Sequence, residues 1–227
     1  MRARLLALLV FALASVPAAA QVPPTPAETS AYAGLFAAAS RGDAAQIARL
    51  AAEGADVKAR DGYGRTPLHV AAYARQQDAM RALVKVGTDP NALESDKYDI
   101  ITIAAVADDP VTLRTALELG GKAGNITSRY DGTALIAAAH LGHDEVVRIL
   151  IKAGAPLDHV NNLHWTALIE SIVLGQGGPR HVATLKALVE AGASTKLADR
   201  GGNTPLALAK GRNYIEMVAI LEKAGAR

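Results

Sequence analysis

Six histidines, His69, His140, His143, His159, His164 and His181, have the widest chemical reach in this sequence. A neutral imidazole serves as base, metal ligand or hydrogen-bond donor near neutral pH. His140 and His143 stand three apart at the end of one predicted helix, close enough to share a metal ion, and His164 is the third ligand a surface site would draw on. The chain has no cysteine, and no carboxylate pair completes a tetrahedral set around them. The acids occur singly, in turns or at helix positions expected to be exposed, which leaves no site for paired-carboxylate acid–base chemistry. Gly-x-Ser-x-Gly, His-Glu-x-x-His and Gly-x-x-x-x-Gly-Lys are all absent. Gly175-Gln176-Gly177-Gly178 follows a predicted helix rather than a strand and lacks a Lys-Ser/Thr partner, so it reads as a loop. The expectation is a non-enzymatic chain with no catalytic residues, no metal and no cofactor. The competing reading is a metal-binding or enzymatic protein built on His140, His143 and His164.

The elements that position these side chains follow from a repeat. Gly54-Ala55-Asp56, Gly87-Thr88-Asp89, Gly120-Gly121-Lys122, Gly154-Ala155-Pro156, Gly192-Ala193-Ser194 and Gly225-Ala226-Arg227 recur at intervals of 33, 33, 34, 38 and 33 residues. A second marker runs in phase: Thr66-Pro67-Leu68, Thr133-Ala134-Leu135, Thr166-Ala167-Leu168 and Thr204-Pro205-Leu206, with a degenerate Asp99-Ile100-Ile101 between the first two. Each unit opens on a turn such as Asp61-Gly62-Tyr63-Gly64. Thr66 then stands at an N-cap, and Pro67 at the first helical position, where its missing N–H costs nothing. An alanine-rich helix follows, as in Leu68–Ala72, and a second helix carries an apolar stripe, as in Val146, Val147, Ile149, Leu150 and Ile151. A glycine such as Gly154 stops that second helix in a left-handed conformation. Helices this short need neighbours to bury their faces.

Residues 65–72, Arg-Thr-Pro-Leu-His-Val-Ala-Ala, and 142–150, Gly-His-Asp-Glu-Val-Val-Arg-Ile-Leu, resemble the ankyrin repeat. The resemblance covers residues 31–227 and implies one all-α solenoid domain, helix pairs with β-hairpin loops projecting between units. Six units are expected, at 31–60, 61–93, 94–127, 128–160, 161–198 and 199–227. The first, with Leu35-Phe36-Ala37-Ala38-Ala39, is an N-terminal cap. The third replaces the Gly-His turn with Asp108-Asp109-Pro110, and the fifth carries extra residues around Gln176–Arg180 that should lengthen a loop between its helices. The resemblance gives His69 a role tying adjacent turns together, and makes His143 the ordinary residue of the Gly-His turn.

Residues 1–20 are read apart from the fold. Arg2 and Arg4, the apolar run Leu5–Val16, Pro17 and Ala18-Ala19-Ala20 form the pattern of a Sec-type signal peptide cut after Ala20. Residues 21–30, with three prolines, read as an extended tether. Loss of Arg2 and Arg4 takes the 24 basic residues to 22, against 22 acids. A neutral chain lacks the basic face that DNA or RNA requires. The expectation is a monomeric periplasmic or secreted protein with no membrane insertion after cleavage.

Mapping the units onto the ankyrin frame puts Tyr63, Arg65, Asp96, Tyr98, Arg129, Tyr130, Leu163 and Trp165 on the projecting fingers. Tyr73, His140 and Leu141 fall at the exposed ends of first helices. Tyr, Trp and Arg are the types that concentrate interface energy. The function read from this is a non-catalytic module that grips a protein partner on its concave face, with a purely structural envelope role as the alternative to binding. The chain resembles small exported ankyrin proteins of Gram-negative bacteria. Some of these are linked with supporting periplasmic enzymes such as catalase or with neutralising toxic effectors.

Overall fold

The computed structural model describes residues 21–227; the expected signal peptide lies outside the described residues. Thirteen helices are described. The first, α1 (Pro26–Ala31), precedes six helix pairs: α2 (Gly34–Arg41) with α3 (Ala44–Ala52), α4 (Pro67–Tyr73) with α5 (Gln77–Lys85), α6 (Ile100–Val106) with α7 (Pro110–Glu118), α8 (Ala134–Leu141) with α9 (Asp144–Lys152), α10 (Ala167–Val173) with α11 (Pro179–Glu190), and α12 (Pro205–Gly211) with α13 (Ile215–Lys223). First helices pack on first helices and second on second along the whole stack, giving two parallel layers.

Each first helix is started by the residue the repeat provides. Thr66, Thr133, Thr166 and Thr204 accept the N–H three residues on, and Asp99 does the same for Thr102, so the degenerate third unit keeps its cap. Such a cap stabilises a helix by about 1 kcal/mol. Alanine pairs at the centre of the first-helix row, Ala38-Ala39, Ala71-Ala72, Ala104-Ala105 and Ala138-Ala139, are fully buried and allow close helix approach. Leu83, Leu113, Leu150, Leu188 and Leu221 from the second helices fill the space between the layers. Burying each such side chain contributes about 1.5–3 kcal/mol.

The fingers are tight turns. Among the described residues there is no named strand, and a single bridge pairs Thr127 with Gly132. In the other fingers two backbone bonds close the turn, as in Asp61 N–H to Arg65 O at 3.0 Å with Gly64 N–H to Asp61 O at 2.9 Å, and Asn161 N–H to Trp165 O at 3.0 Å with His164 N–H to Asn161 O at 2.9 Å. Neighbouring fingers are joined tip to tip: Ser95 N–H donates to Tyr63 O, Ser128 N–H to Lys97 O, and Asn162 N–H to Tyr130 O.

The expected loop insertion in the fifth unit is pinned rather than free. Tyr214 from unit six donates its hydroxyl to Gly175 O at 2.9 Å. Gly177 has φ +66, and a Cβ there would meet the Tyr214 ring at 2.6 Å, so only glycine fits. The insertion ends in Arg180, which reaches Asp108 of unit three at 2.8 Å and Asp144 of unit four at 3.3 Å.

Residues 21–31 correct the expectation of an extended tether. Thr25-Pro26-Ala27-Glu28 is a capping box: Thr25 Oγ1 accepts from Glu28 N–H, and Glu28 Oε2 accepts from Thr25 N–H. The segment is also fastened to the stack. Gln21 Nε2 donates to Thr102 O at 2.9 Å, Arg65 Nη1 donates to Val22 O at 3.1 Å, and Arg65 Nη2 pairs with Glu28. The prolines are accommodated because Pro26 sits at N1.

Removing the Arg65 side chain leaves Glu28 and the nearly buried Asp61 without their cation. Arg65→Ala should therefore destabilise the fold by about 3–5 kcal/mol, the usual cost of breaking a buried pair. Thermal melting should fall, and limited proteolysis should cut within residues 21–31 first. A melt unchanged from wild type would contradict this account.

Candidate functional site

The eleven residues expected to face a partner divide in the structure. Arg65 departs from its expected role: it is 0% exposed. Its Nε donates to Asp61 Oδ2 at 2.7 Å, its Nη groups hold the N-terminal segment, and the Tyr63 ring covers the guanidinium at 4.6 Å. Tyr73 and Tyr98 are partly buried and pack on the core, and burial raises both hydroxyl pKa values. Asp96 and Arg129 pair with each other across adjacent fingers at 2.7 Å. Tyr98, Arg129, Tyr130, His140, Leu141, Leu163 and Trp165 do come together, lining one groove of about 570 Å³.

That groove runs from the fingers of units three to five to the ends of their first helices, where Val106, Leu141 and Leu174 lie. Tyr130, Leu141, Leu163 and Leu174 are each exposed by more than a third. Finger geometry places these side chains. Asn161 Oδ1 accepts the N–H of both Leu163 and Trp165, an Asx turn that fixes the finger, and His164 takes the left-handed corner at φ +66.

Sequence reasoning placed the acids in turns or at exposed helix positions, and Glu170 overturns that. It sits on α10, 3% exposed, in the wall of the groove. Its Oε1 accepts from Asn161 Nδ2 at 3.0 Å, while Oε2 has no hydrogen-bond partner. His140 Nδ1 is 3.6 Å from Oε2, beyond a hydrogen bond. Burial raises the Glu170 pKa to about 7 and lowers that of His140, so both are held toward neutrality. A signal for Glu170 exists in the sequence. The residue four after each first-helix cap is Val70, Ile103, Ala137 and Leu208 in other units, and glutamate only in the fifth.

The histidines divide by bonding partner. His69 accepts Thr66 N–H at Nδ1, which leaves Nε2–H to donate to Ala92 O at 2.9 Å; burial holds its pKa near 4. Ring nitrogens of His143 and His181 lie against the carbonyls of Ala105 and His140, each in the preceding unit, and that of His159 lies against Asp131 O at the start of its own unit. The first two contacts stitch unit to unit. His140, His143 and His164 do not converge, and among the described residues no three His, Asp or Glu side chains are placed to share a metal ion.

A repeat of helix pairs joined by short fingers, with a groove across the finger side, defines a helical-repeat solenoid. The family model described as ankyrin repeats (3 copies) matches residues 21–94 and 101–195, and the chain belongs to the ankyrin-repeat family. It is 33% identical over 190 residues to the putative ankyrin repeat protein YahD of Escherichia coli K12, covering 83% of this chain and 94% of that one. An ankyrin repeat domain from Acinetobacter baumannii AYE superposes with TM-score 0.78 at 39% identity, covering 85% of this chain and 98% of the other. The ankyrin repeat domain of Bcl-3, a member of the IkappaB protein family, gives 0.77 at 25% identity, covering 86% and 87%. Ankyrin repeats are in general protein–protein interaction modules, and such relatives are typically non-enzymatic. Among the described residues no helix is long and apolar enough to cross a membrane.

The raised Glu170 pKa makes stability depend on pH. The folded state keeps a proton that the unfolded chain releases above about pH 4.5, so this contribution is full below that value and is lost as pH rises through about 7. The loss is on the order of 3 kcal/mol. Glu170→Gln keeps the acceptor for Asn161 and cannot ionise. Its urea midpoint should exceed that of wild type at pH 8 and converge with it at pH 4; parallel curves would refute the assignment.

Proposed function

We propose that this protein is an exported, non-catalytic adaptor that holds a segment of another protein in the groove spanning units three to five. The observation that carries the reading is the groove itself. Tyr130, Leu141, Leu163, Trp165 and Leu174 form one contiguous, partly exposed apolar and aromatic surface in a chain whose family serves protein recognition. Aromatic side chains on a rigid scaffold bury large area at low entropic cost, as interface hot spots do. The binding face is therefore narrower than the sequence implied. Tyr63, Arg65 and Tyr73 do not line it: Arg65 pins the N-terminal segment against units two and three, Tyr63 covers Arg65, and Tyr73 packs on the core.

Export is supported by Arg2, Arg4, the apolar run from Leu5 to Val16 and the small residues before Gln21. The cysteine-free composition suits an oxidising compartment, where no thiol can mispair.

Affinity capture from the envelope fraction of the source cell, with wild type and a Tyr130→Ser/Leu163→Ser variant of matching thermal stability, tests the face. A partner retained by wild type and lost by the variant is the expected outcome; the same partners on both would reject the groove. Fractionation of cells expressing the full chain, followed by N-terminal sequencing, tests export. A processed chain starting near Gln21 outside the cytoplasm is expected, and an unprocessed cytoplasmic chain would reject it.

A further inference from the structure

We infer that the groove receives a lysine side chain, presented by an extended segment of the partner, with Glu170 as its counter-ion. The inference rests on the binding face proposed above and names the chemistry it selects. Four observations carry it. Glu170 is almost wholly buried in the groove wall with one carboxylate oxygen satisfied by Asn161 and the other without a partner. A buried acceptor left unpaired costs free energy that an incoming donor recovers. Tyr98, Tyr130 and Trp165 share the groove, and aromatic faces beside a carboxylate favour a cation.

The remaining charges leave that role open. Arg129, the groove's permanent cation, is paired with Asp96, so it does not compensate Glu170. His140, 3.6 Å from Oε2, is kept toward its neutral form by burial and by His181 and His143. The groove therefore offers one uncompensated acid behind an apolar and aromatic wall. A single free oxygen suits a compact ammonium better than the two-pronged guanidinium, whose strongest pairing engages both oxygens of a carboxylate. The lysine stem would lie along Leu141 and Leu163 while its head reaches the carboxylate. Arrival of the cation would draw Glu170 into its ionised form.

The experiment selects random short linear peptides displayed on phage against the full processed chain. Binding of the selected peptides is then measured through Trp165, the sole tryptophan of the sequence, whose fluorescence reports directly from the groove. The expected result is one position fixed as lysine, and a loss of affinity of about tenfold or more when that lysine is replaced by norleucine or when the protein carries Glu170→Gln. The norleucine peptide is measured on wild-type protein, so the test does not depend on a variant folding. Peptides that need Leu163 but carry no fixed basic position, or that bind Glu170→Gln equally well, overturn the lysine inference and leave the binding face standing. Arginine fixed in place of lysine overturns the single-oxygen geometry. Failure to select any peptide, or selection of peptides indifferent to Leu163→Ser, overturns the binding face and this inference with it.

Discussion

No unit of this protein can fold by itself, and that constraint shapes everything else. Most of its helices run seven to nine residues, below the length at which an isolated helix persists in water. Each becomes stable only when its alanine row or leucine stripe is covered by the next unit. Side chains then reinforce what packing begins. His143 and His181 reach the backbone of the preceding unit, His69 reaches Tyr98 O of the next, and the finger tips are tied N–H to carbonyl from one turn to the next. Chemistry that looks reactive in the sequence is largely spent on holding neighbours together.

The same economy explains which part of the finger face stays available. At the N-terminal end, Arg65 collects Asp61, Glu28 and the Val22 carbonyl, and Tyr63 closes over it. Three of its five donors are bonded internally and the whole side chain is buried, so a residue of a type enriched in interfaces becomes a structural pin. Farther along, Arg129 meets only one acid and stays at the surface. There a groove lies between the fingers and the first-helix ends, and an acidic side chain replaces an aliphatic one in its wall. Both differences trace to single residues set on an otherwise repeating frame.

How much of this the sequence discloses depends on how local the determinants are. The period, the Thr caps, Pro67 and Pro110 at first helical positions and the glycine stops are all encoded within a few residues, and they are legible without coordinates. Arg65 and Arg129 look alike in sequence, because what separates them is Glu28, far upstream of Arg65. Glu28 itself belongs to a Thr-x-x-Glu box that the surrounding prolines disguise as a tether. Glu170 was readable, but only by aligning the units and asking why one carries an acid where the others are apolar. Its burial depends on His140, Asn161 and the neighbouring helices, which no local pattern reports. The clustering of Tyr130, Leu163 and Trp165 follows from finger geometry, which the family frame anticipates in outline.

Arg180 deserves a last consequence. By gripping Asp108 and Asp144 it belts together units three, four and five, the same three that wall the groove. The bend of a solenoid is the sum of small rotations between units. A belt at the inter-helix turns therefore bears on the angle between the three units that wall the cleft. These ion pairs lie at the surface, where dissolved salt weakens them. The insertion that lengthens the fifth unit thus fastens it to both units before it through contacts that dissolved salt loosens, at residues that do not themselves line the cleft.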